Sequence, residues 1–214
     1  MDDIKLMRIR IFFCKNEAMR YTGHLDLHKT WERIFRRSGL SLAYSQGFHP
    51  QPRLNLACAL PLGFTSQAEI LDAWLEGSIP LTEIRNALTI SIPPGITIDK
   101  IEEIDLRIPA LQTQVCASEY VITFLTPIEG LDKKINDILA AKDIPRQWRD
   151  RSYDLKPLIE DLQPLPDSDE GLTRLMTRLA AREGATGRPE ELIDALGFVP
   201  SQARVHRTRL FFNQ

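Results

Sequence analysis

Apolar and polar residues alternate over residues 6–14, where every second residue from Met7 to Phe13 is apolar. Because side chains of a strand alternate between its two faces, this pattern predicts a half-buried β-strand. Over residues 24–38 the apolar spacing changes to three and four residues, which predicts a helix with one buried stripe. Gly39 is placed to end it. The stripe consists of Leu27, Trp31, Ile34 and Phe35.

The later segments repeat the same order of elements. They comprise strands at 53–60 and 68–76, a helix at 80–88 and a strand at 95–106, followed by a strand at 118–126, a helix at 131–141, a strand region at 153–165, a strand at 171–181, a helix at 188–197 and a strand at 203–212. Segment 171–181 also fits a helix, and the repeat favours a strand. Two βαββαβ units predict an α+β protein of two tandem ferredoxin-like domains with antiparallel sheets, residues 1–110 and 111–214. A single α+β domain of another topology is the alternative.

Between the first helix and the next strand lies SLAYSQGFHPQP, predicted as a loop or a bent edge strand because it contains glycine and proline. Gly47 permits a backbone conformation that other residues rarely adopt. Ser45, Gln46 and His49 offer hydrogen bonds to phosphates or base edges. Phe48 either stacks on an unpaired base or packs into the core. This mixture favours single-stranded or looped RNA as the ligand.

The charge of the 214 residues is unevenly distributed along the chain. The formal net charge is −2, but residues 1–60 carry +5, residues 61–143 carry −7, and residues 144–214 are neutral. Basic surfaces attract phosphate backbones, although basic residues also simply solvate a helix face. The candidate nucleic-acid-binding residues are Arg8, Arg10, Arg20, His24, Arg33, Arg36, Arg37, Ser45, Gln46, Gly47, Phe48, His49 and Arg53.

The histidines offer two alternative chemistries. His24 and His28 are spaced by four residues, a separation that can present two ligands to one metal, but no HExxH motif or nearby cysteine completes a set. Two surface histidines explain the pair more simply, so no metal site is predicted. His24 or His49 is also a candidate general acid or base for RNA cleavage.

The three cysteines exclude some cofactor classes. Cys14, Cys58 and Cys116 lie far apart without a CxxC pair, which excludes an ordinary zinc ribbon and an iron–sulfur site built by this chain alone. We therefore expect no cofactor of the chain's own. An odd, sparse cysteine count fits a reducing cytoplasm. No apolar run approaches the length of a membrane span, and the first residues lack the pattern of a signal peptide, so no membrane partner is expected.

Residues 21–76 resemble the bacterial radical-SAM-linked family of unknown function through the pattern HLDL, RR, SQGFHP, PR and LPLG. Gly23 stands where that family usually has serine. The segments YDLKPLIEDL and RPEELIDALG are similar to its second half. The matching positions are His24, Leu25, Asp26, Leu27, Arg33, Arg36, Arg37, 45–50, Pro52, Arg53, 61–63, Ser66 and Glu69.

The resemblance implies a partner, because family members are fused to, or encoded beside, a radical SAM/cobalamin-type protein. It supplies no known reaction. Since this chain lacks cluster cysteines, we expect a non-catalytic accessory protein that binds RNA, tRNA or rRNA, for modification by a radical SAM protein. The alternatives are a metal-independent endoribonuclease, by analogy with CRISPR repeat-processing enzymes, and an adaptor whose SQGFHP loop docks the radical SAM enzyme.

Overall fold

The computed structural model describes residues 5–148, 151–182 and 184–213. The chain divides into two compact units, Met1–Gln114 and Val115–Gln214. Each unit is a mixed α+β structure whose strands pair in antiparallel fashion. The division falls four residues after the end of the first predicted domain.

The first unit has an antiparallel sheet in the order β2-β3-β1-β4. Strand β1 is central, and its Ile9 lies opposite Ala73 on one side and Glu103 on the other. The elements are β1 (Leu6–Lys15), α1 (His24–Ser38), β2 (Leu54–Leu56), β3 (Thr65–Glu76), α2 (Leu81–Ser91), β4 (Ile96–Ile104) and the short helix α3 (Leu111–Gln114).

The core of this unit forms where the apolar stripes of α1 and α2 pack on one face of the sheet. The Phe13 and Trp31 rings meet edge to face, with centroids 4.9 Å apart. Helix α1 ends as the sequence predicts, because Gly39 adopts the left-handed conformation at φ 73°. This packing fixes which face of α1 is left for solvent.

The second unit has an antiparallel sheet in the order β8-β9-β5-β11. A separate hairpin joins β6 to β7, and the short β10 pairs with the end of β9. The elements are β5 (Val115–Phe124), α4 (Leu131–Ala140), β6 (Pro145–Trp148), β7 (Arg151–Asp154), β8 (Ile159–Leu165), β9 (Arg174–Arg182), β10 (Ala185–Thr186), α5 (Pro189–Ala195) and β11 (Ala203–Phe212).

The segment whose pattern fitted both a helix and a strand is a strand, β9. Its apolar side chains alternate with half-exposed ones because one face packs inward. The strand predicted over 53–60 is shorter, and the β6–β7 hairpin was not predicted, since four-residue strands leave too little periodicity to detect. Within the described ranges, no helix combines the length and apolar character needed to cross a membrane.

Candidate nucleic-acid interface

The loop between α1 and β2 is an excursion from the edge of the first unit's sheet. The Ala43 amide donates to the Trp74 carbonyl at 2.8 Å, and the chain rejoins the edge where the Trp74 amide donates to the Arg53 carbonyl at 3.1 Å. The Arg53 amide also donates to the Ala43 carbonyl at 2.8 Å, so the departing and returning segments bond to each other. Residues 44–52 therefore project from the edge as a closed loop.

Hydrogen bonds at the neck hold this loop shut. The Ser45 amide donates to the Gln51 carbonyl at 2.9 Å, and the Gln51 amide donates to Ser45 Oγ at 3.0 Å. Tyr44 and Pro52 form an isolated β-bridge beneath them. The Ser45 hydroxyl thus has a structural role in addition to any contact with a ligand.

The tip of the loop presents its side chains to solvent. Gly47 bends the tip at φ 134°, a conformation that disfavours any side chain. Phe48 is fully exposed, so the expectation that it packs into the core is wrong. Tyr44 is 53% exposed, while Gln46 and His49 are exposed beside it. Unpartnered aromatic rings on a surface are typical of stacking sites for ligands or partners.

Helix α1 carries a basic face on the side away from the core. Lys29, Arg33, Arg36 and Arg37 follow at intervals that place them on one face, and all four are exposed. Lys29 was missed by the sequence interpretation, although its spacing from Arg33 signals the shared face. The Arg37 guanidinium donates to the Ser91 carbonyl at 2.7 Å, which ties this end of the face to the last residue of α2.

The basic face continues to the loop through a shared cleft. Arg36 and Tyr44 both line a cleft of about 460 Å³, which Glu76 also borders. On its other side Tyr44 borders a second cleft of about 420 Å³, together with Gln46 and Arg53. Arg36 and Tyr44 therefore share one surface of the first unit, whereas Lys29, Arg33 and Arg37 border a separate cleft next to Pro93.

Arg8 points into the protein and is not part of this surface. It is 1% exposed, and its Nη2 lies 2.6 Å from Asp72 Oδ2. Its guanidinium also donates to the carbonyls of Ile108 and Pro109. Arg10 shares the same carboxylate, with Nε 2.8 Å from Asp72 Oδ1. We leave both arginines out of the proposed interface because their guanidinium groups already bond the buried carboxylate of Asp72.

These buried charges support the base of the loop through Trp74. The Arg8 Cζ lies 4.7 Å from the centroid of the Trp74 ring, and the Arg53 Cζ lies at the same distance. Such cation–π contacts are strongest where the cation is desolvated. A continuous set of contacts therefore runs from Asp72 through Arg8 and Trp74 to Arg53, where the loop returns to the sheet.

Arg20 precedes α1, and its contacts hold the segment between β1 and α1 in place. Its guanidinium is 3.3 Å from Glu17 Oε2. Its carbonyl accepts hydrogen bonds from the Gly63 amide at 3.0 Å and from the buried Lys15 Nζ at 3.1 Å. These contacts give Arg20 a positioning role, and we leave it out of the proposed interface.

The two helical histidines differ in their surroundings. His28 Nε2 lies 3.1 Å from the Leu54 carbonyl, and Nδ1 lies 3.0 Å from Glu32 Oε1, so both ring nitrogens are occupied within the protein. His24 is half-buried at the start of α1, and His49 is exposed at the loop tip. No group of three or more metal-ligating side chains occurs in the described part of the chain. Cleavage by His24 or His49 stays a prediction.

Cys14 is not an activated thiol. Burial raises its pKa to about 11, and a hydrogen bond to Asp99 Oδ2 at 3.3 Å adds to the increase. A thiol with so high a pKa is protonated at neutral pH and is a poor nucleophile. None of Cys14, Cys58 and Cys116 is in a disulfide.

Comparison with known proteins identifies a family and gives only distant structural likenesses. The family model described as "Uncharacterized protein conserved in bacteria (DUF2344)" matches residues 8–189. No curated protein matches the chain. A Cbf5–Nop10–Gar1 complex is similar at 14% identity, covering 88% of this chain and 46% of that one, with a TM-score of 0.45. An archaeal box H/ACA sRNP Nop10–Cbf5 complex is similar at 11% identity, covering 98% and 58%, with a TM-score of 0.40.

The chain spans about half the length of these solved chains. A third similar structure is of an H/ACA RNP bound to a substrate RNA containing 2′-deoxyuridine, with 13% identity, coverage of 88% and 45%, and a TM-score of 0.42. Activities of those longer proteins are therefore not transferred to this chain.

Replacing Asp72 by Ala should destabilise the first unit, because it leaves the Arg8 guanidinium buried without a compensating charge. We expect the free energy of unfolding to fall by about 3–5 kcal/mol, measured by urea denaturation. Asp105→Ala is the matched control: it breaks an exposed ion pair with Arg107 and should change stability little. Equal stability of the Asp72 variant and the control would contradict the anchoring role of Asp72.

Proposed function

Because this chain belongs to the uncharacterised bacterial family DUF2344, we propose a function from its own surface: it is an accessory protein that binds RNA, tRNA or rRNA, and presents it to a modifying partner. The observation that carries the proposal is the fully exposed Phe48 on a closed loop whose root residue, Tyr44, shares a cleft with Arg36 of the basic face of α1. Cations that contact phosphates and rings that stack on bases are the two components of single-strand binding sites.

The geometry of the surface favours an unpaired strand over a duplex. Duplex RNA hides the faces of its bases and is recognised mainly through its backbone and groove shape. A solvated ring such as Phe48 gains contact area only from a base that has left the stack. Tyr44 offers a second ring at the root of the same loop, next to Arg36. The proposed interface comprises Lys29, Arg33, Arg36, Arg37, Tyr44, Ser45, Gln46, Gly47, Phe48, His49 and Arg53, while a role for His24 at the start of α1 stays a prediction.

We also propose that the two units are tandem ferredoxin-like domains. Each unit has a four-stranded antiparallel order in which the first and third strands are central and the second and fourth are outer. Two helices connect the strands in each βαββαβ path. The β6–β7 hairpin and β10 are additions to this plan in the second unit.

The modifying partner is proposed to be a radical SAM protein. The proposal rests on the resemblance of the HLDL, RR and SQGFHP pattern to the radical-SAM-linked family. It is consistent with the absence, among the described residues, of a group of three or more side chains that could hold a metal or cluster. An accessory protein of this kind supplies RNA binding, while the partner supplies the cofactor and the reaction.

Removing two cations from α1 should weaken RNA binding and its dependence on salt. For Arg33→Ala/Arg36→Ala we expect lower affinity for single-stranded RNA, and a fall of about 1.4 in the slope of log K against log salt, since each phosphate contact contributes about 0.7. Mobility-shift titrations at several salt concentrations measure both quantities. Lys133→Ala/Lys142→Ala removes two exposed cations of the second unit and should leave binding unchanged. Equal salt slopes for the two double variants would contradict the assignment.

Truncating the loop ring should affect unpaired RNA selectively. We expect Phe48→Ala to weaken binding of a single-stranded oligonucleotide about tenfold, because stacking contributes about 1–3 kcal/mol per base. Phe48→Tyr, which keeps the ring, should bind like the unmodified protein. Thermal unfolding should be the same for all three proteins because the side chain is exposed. Equal losses for single-stranded and duplex RNA would argue against stacking.

Direct association with the partner is tested by co-purification. If the two proteins contact each other directly, immobilised protein should retain a radical SAM protein from a lysate of the same organism after RNase treatment. The Arg33→Ala/Arg36→Ala variant should retain it equally, since those cations are assigned to RNA. Retention that disappears with RNase would mean that RNA alone bridges the pair.

A further inference from the structure

We propose that the cleft bordered by Tyr44, Gln46, Arg53 and Glu76 binds one unpaired guanine base, and that Glu76 selects it. The inference rests on the proposed RNA-binding function and adds base specificity to it. The cleft lies between the root of the loop and the end of β3, and its volume is about 420 Å³. That volume is within the range of small-molecule sites and accommodates one nucleotide.

Two polar side chains that border the cleft, those of Glu76 and Gln46, have no bonding partner in the described part of the chain. Among the residues that the structure describes, no side chain or backbone group bonds the carboxylate of Glu76 or the amide of Gln46. Tyr44 is half-exposed and lies between this cleft and the cleft that contains Arg36. A base can therefore stack on the Tyr44 ring. Charged and amide groups left without protein partners around one concave site are typical of ligand recognition.

A carboxylate discriminates among the four bases by their hydrogen-bond donors. It has two oxygens that accept in parallel. The Watson–Crick edge of guanine carries two adjacent donors, N1–H and the N2 amine, which match that pair of oxygens. Uracil has a single N–H between two carbonyls, and these repel a carboxylate. Adenine and cytosine each place an acceptor nitrogen next to their amine. A lone carboxylate therefore prefers guanine.

The remaining polar groups complement the rest of the same base. Guanine O6 is an acceptor beside N1–H, and the cleft offers donors from the Gln46 amide and the Arg53 guanidinium. Arg53 is held in place by its contact with the Trp74 ring and by the backbone bonds that close the loop. Because the Arg53 side chain is already held in place, it loses less conformational entropy on binding a base than a freely moving surface arginine would.

The Glu76 side chain can be substituted without disturbing the backbone hydrogen bonds around it. Its backbone amide donates to the Ser41 carbonyl at 2.9 Å at the end of β3, and this bond does not depend on the side chain. Glu76→Gln keeps the shape of the side chain but replaces one acceptor oxygen by a donor. Glu83→Gln, on the exposed face of α2, changes the net charge by the same amount away from the cleft.

Fluorescence anisotropy with labelled heptanucleotides tests the inference. The probes are oligouridine, the same strand with a central guanosine, and the same strand with a central inosine, which lacks the N2 amine. We expect the unmodified protein and Glu83→Gln to bind the guanosine strand about tenfold more tightly than oligouridine, with the inosine strand in between. Glu76→Gln should bind all three within about twofold of one another.

The outcomes separate this inference from the proposed function. Binding of all three strands with equal affinity by the unmodified protein, with affinity still lost in Arg33→Ala/Arg36→Ala, would overturn the guanine site and support RNA binding. A guanosine preference that survives in Glu76→Gln would overturn the role of Glu76. Failure to bind any strand at low salt would overturn the proposed function and this inference together.

Discussion

The buried carboxylate of Asp72 is the interaction on which the candidate surface depends. It bonds both Arg8 and Arg10 on the sheet face opposite the helices, where the Arg8 side chain is almost fully buried. Because a buried charge without a partner is costly, this arrangement tolerates little rearrangement. Arg8 then supports Trp74, and Trp74 supports Arg53 at the root of the loop. The buried contacts of Asp72 with Arg8 and Arg10 thus support the segment from which the exposed loop projects.

The loop also interrupts the outer strand of the first unit's sheet. An outer strand presents unpaired backbone groups that can pair with another chain. Here the edge is interrupted at Ala43 and resumed at Arg53, and the intervening segment closes its own hydrogen bonds. Fully exposed Phe48 at the tip adds nothing to the core, and we propose that its ring contacts a ligand outside the unit. The basic face of α1 matches the negative charge of the RNA that we propose as its partner.

The periodicity of the sequence predicted nearly all the long elements, because each long strand or helix has one buried face that imposes its own spacing. Helix α1 starts and ends where the apolar stripe and Gly39 predict. The placement of Arg8 was different: alternation assigned it to the outward face of β1, and that face is covered by the backbone of Ile108 and Pro109. The alternation of apolar residues along a strand shows only which residues share a face. Whether that face is exposed to solvent depends on segments that are distant in the sequence.

By itself the sequence determined the order of the elements, the basic character of the first sixty residues and the location of the distinctive motif, since these follow from local spacing and composition. Only the tertiary structure decided which of those cations are accessible. In the folded unit Arg8 is buried, and both ring nitrogens of His28 are bonded within the protein. Arg33 and Arg36 remain exposed to solvent. The tertiary structure also brought Glu76 from the end of β3 beside Tyr44 and Gln46. Their meeting depends on strand register, a long-range property that no local pattern encodes.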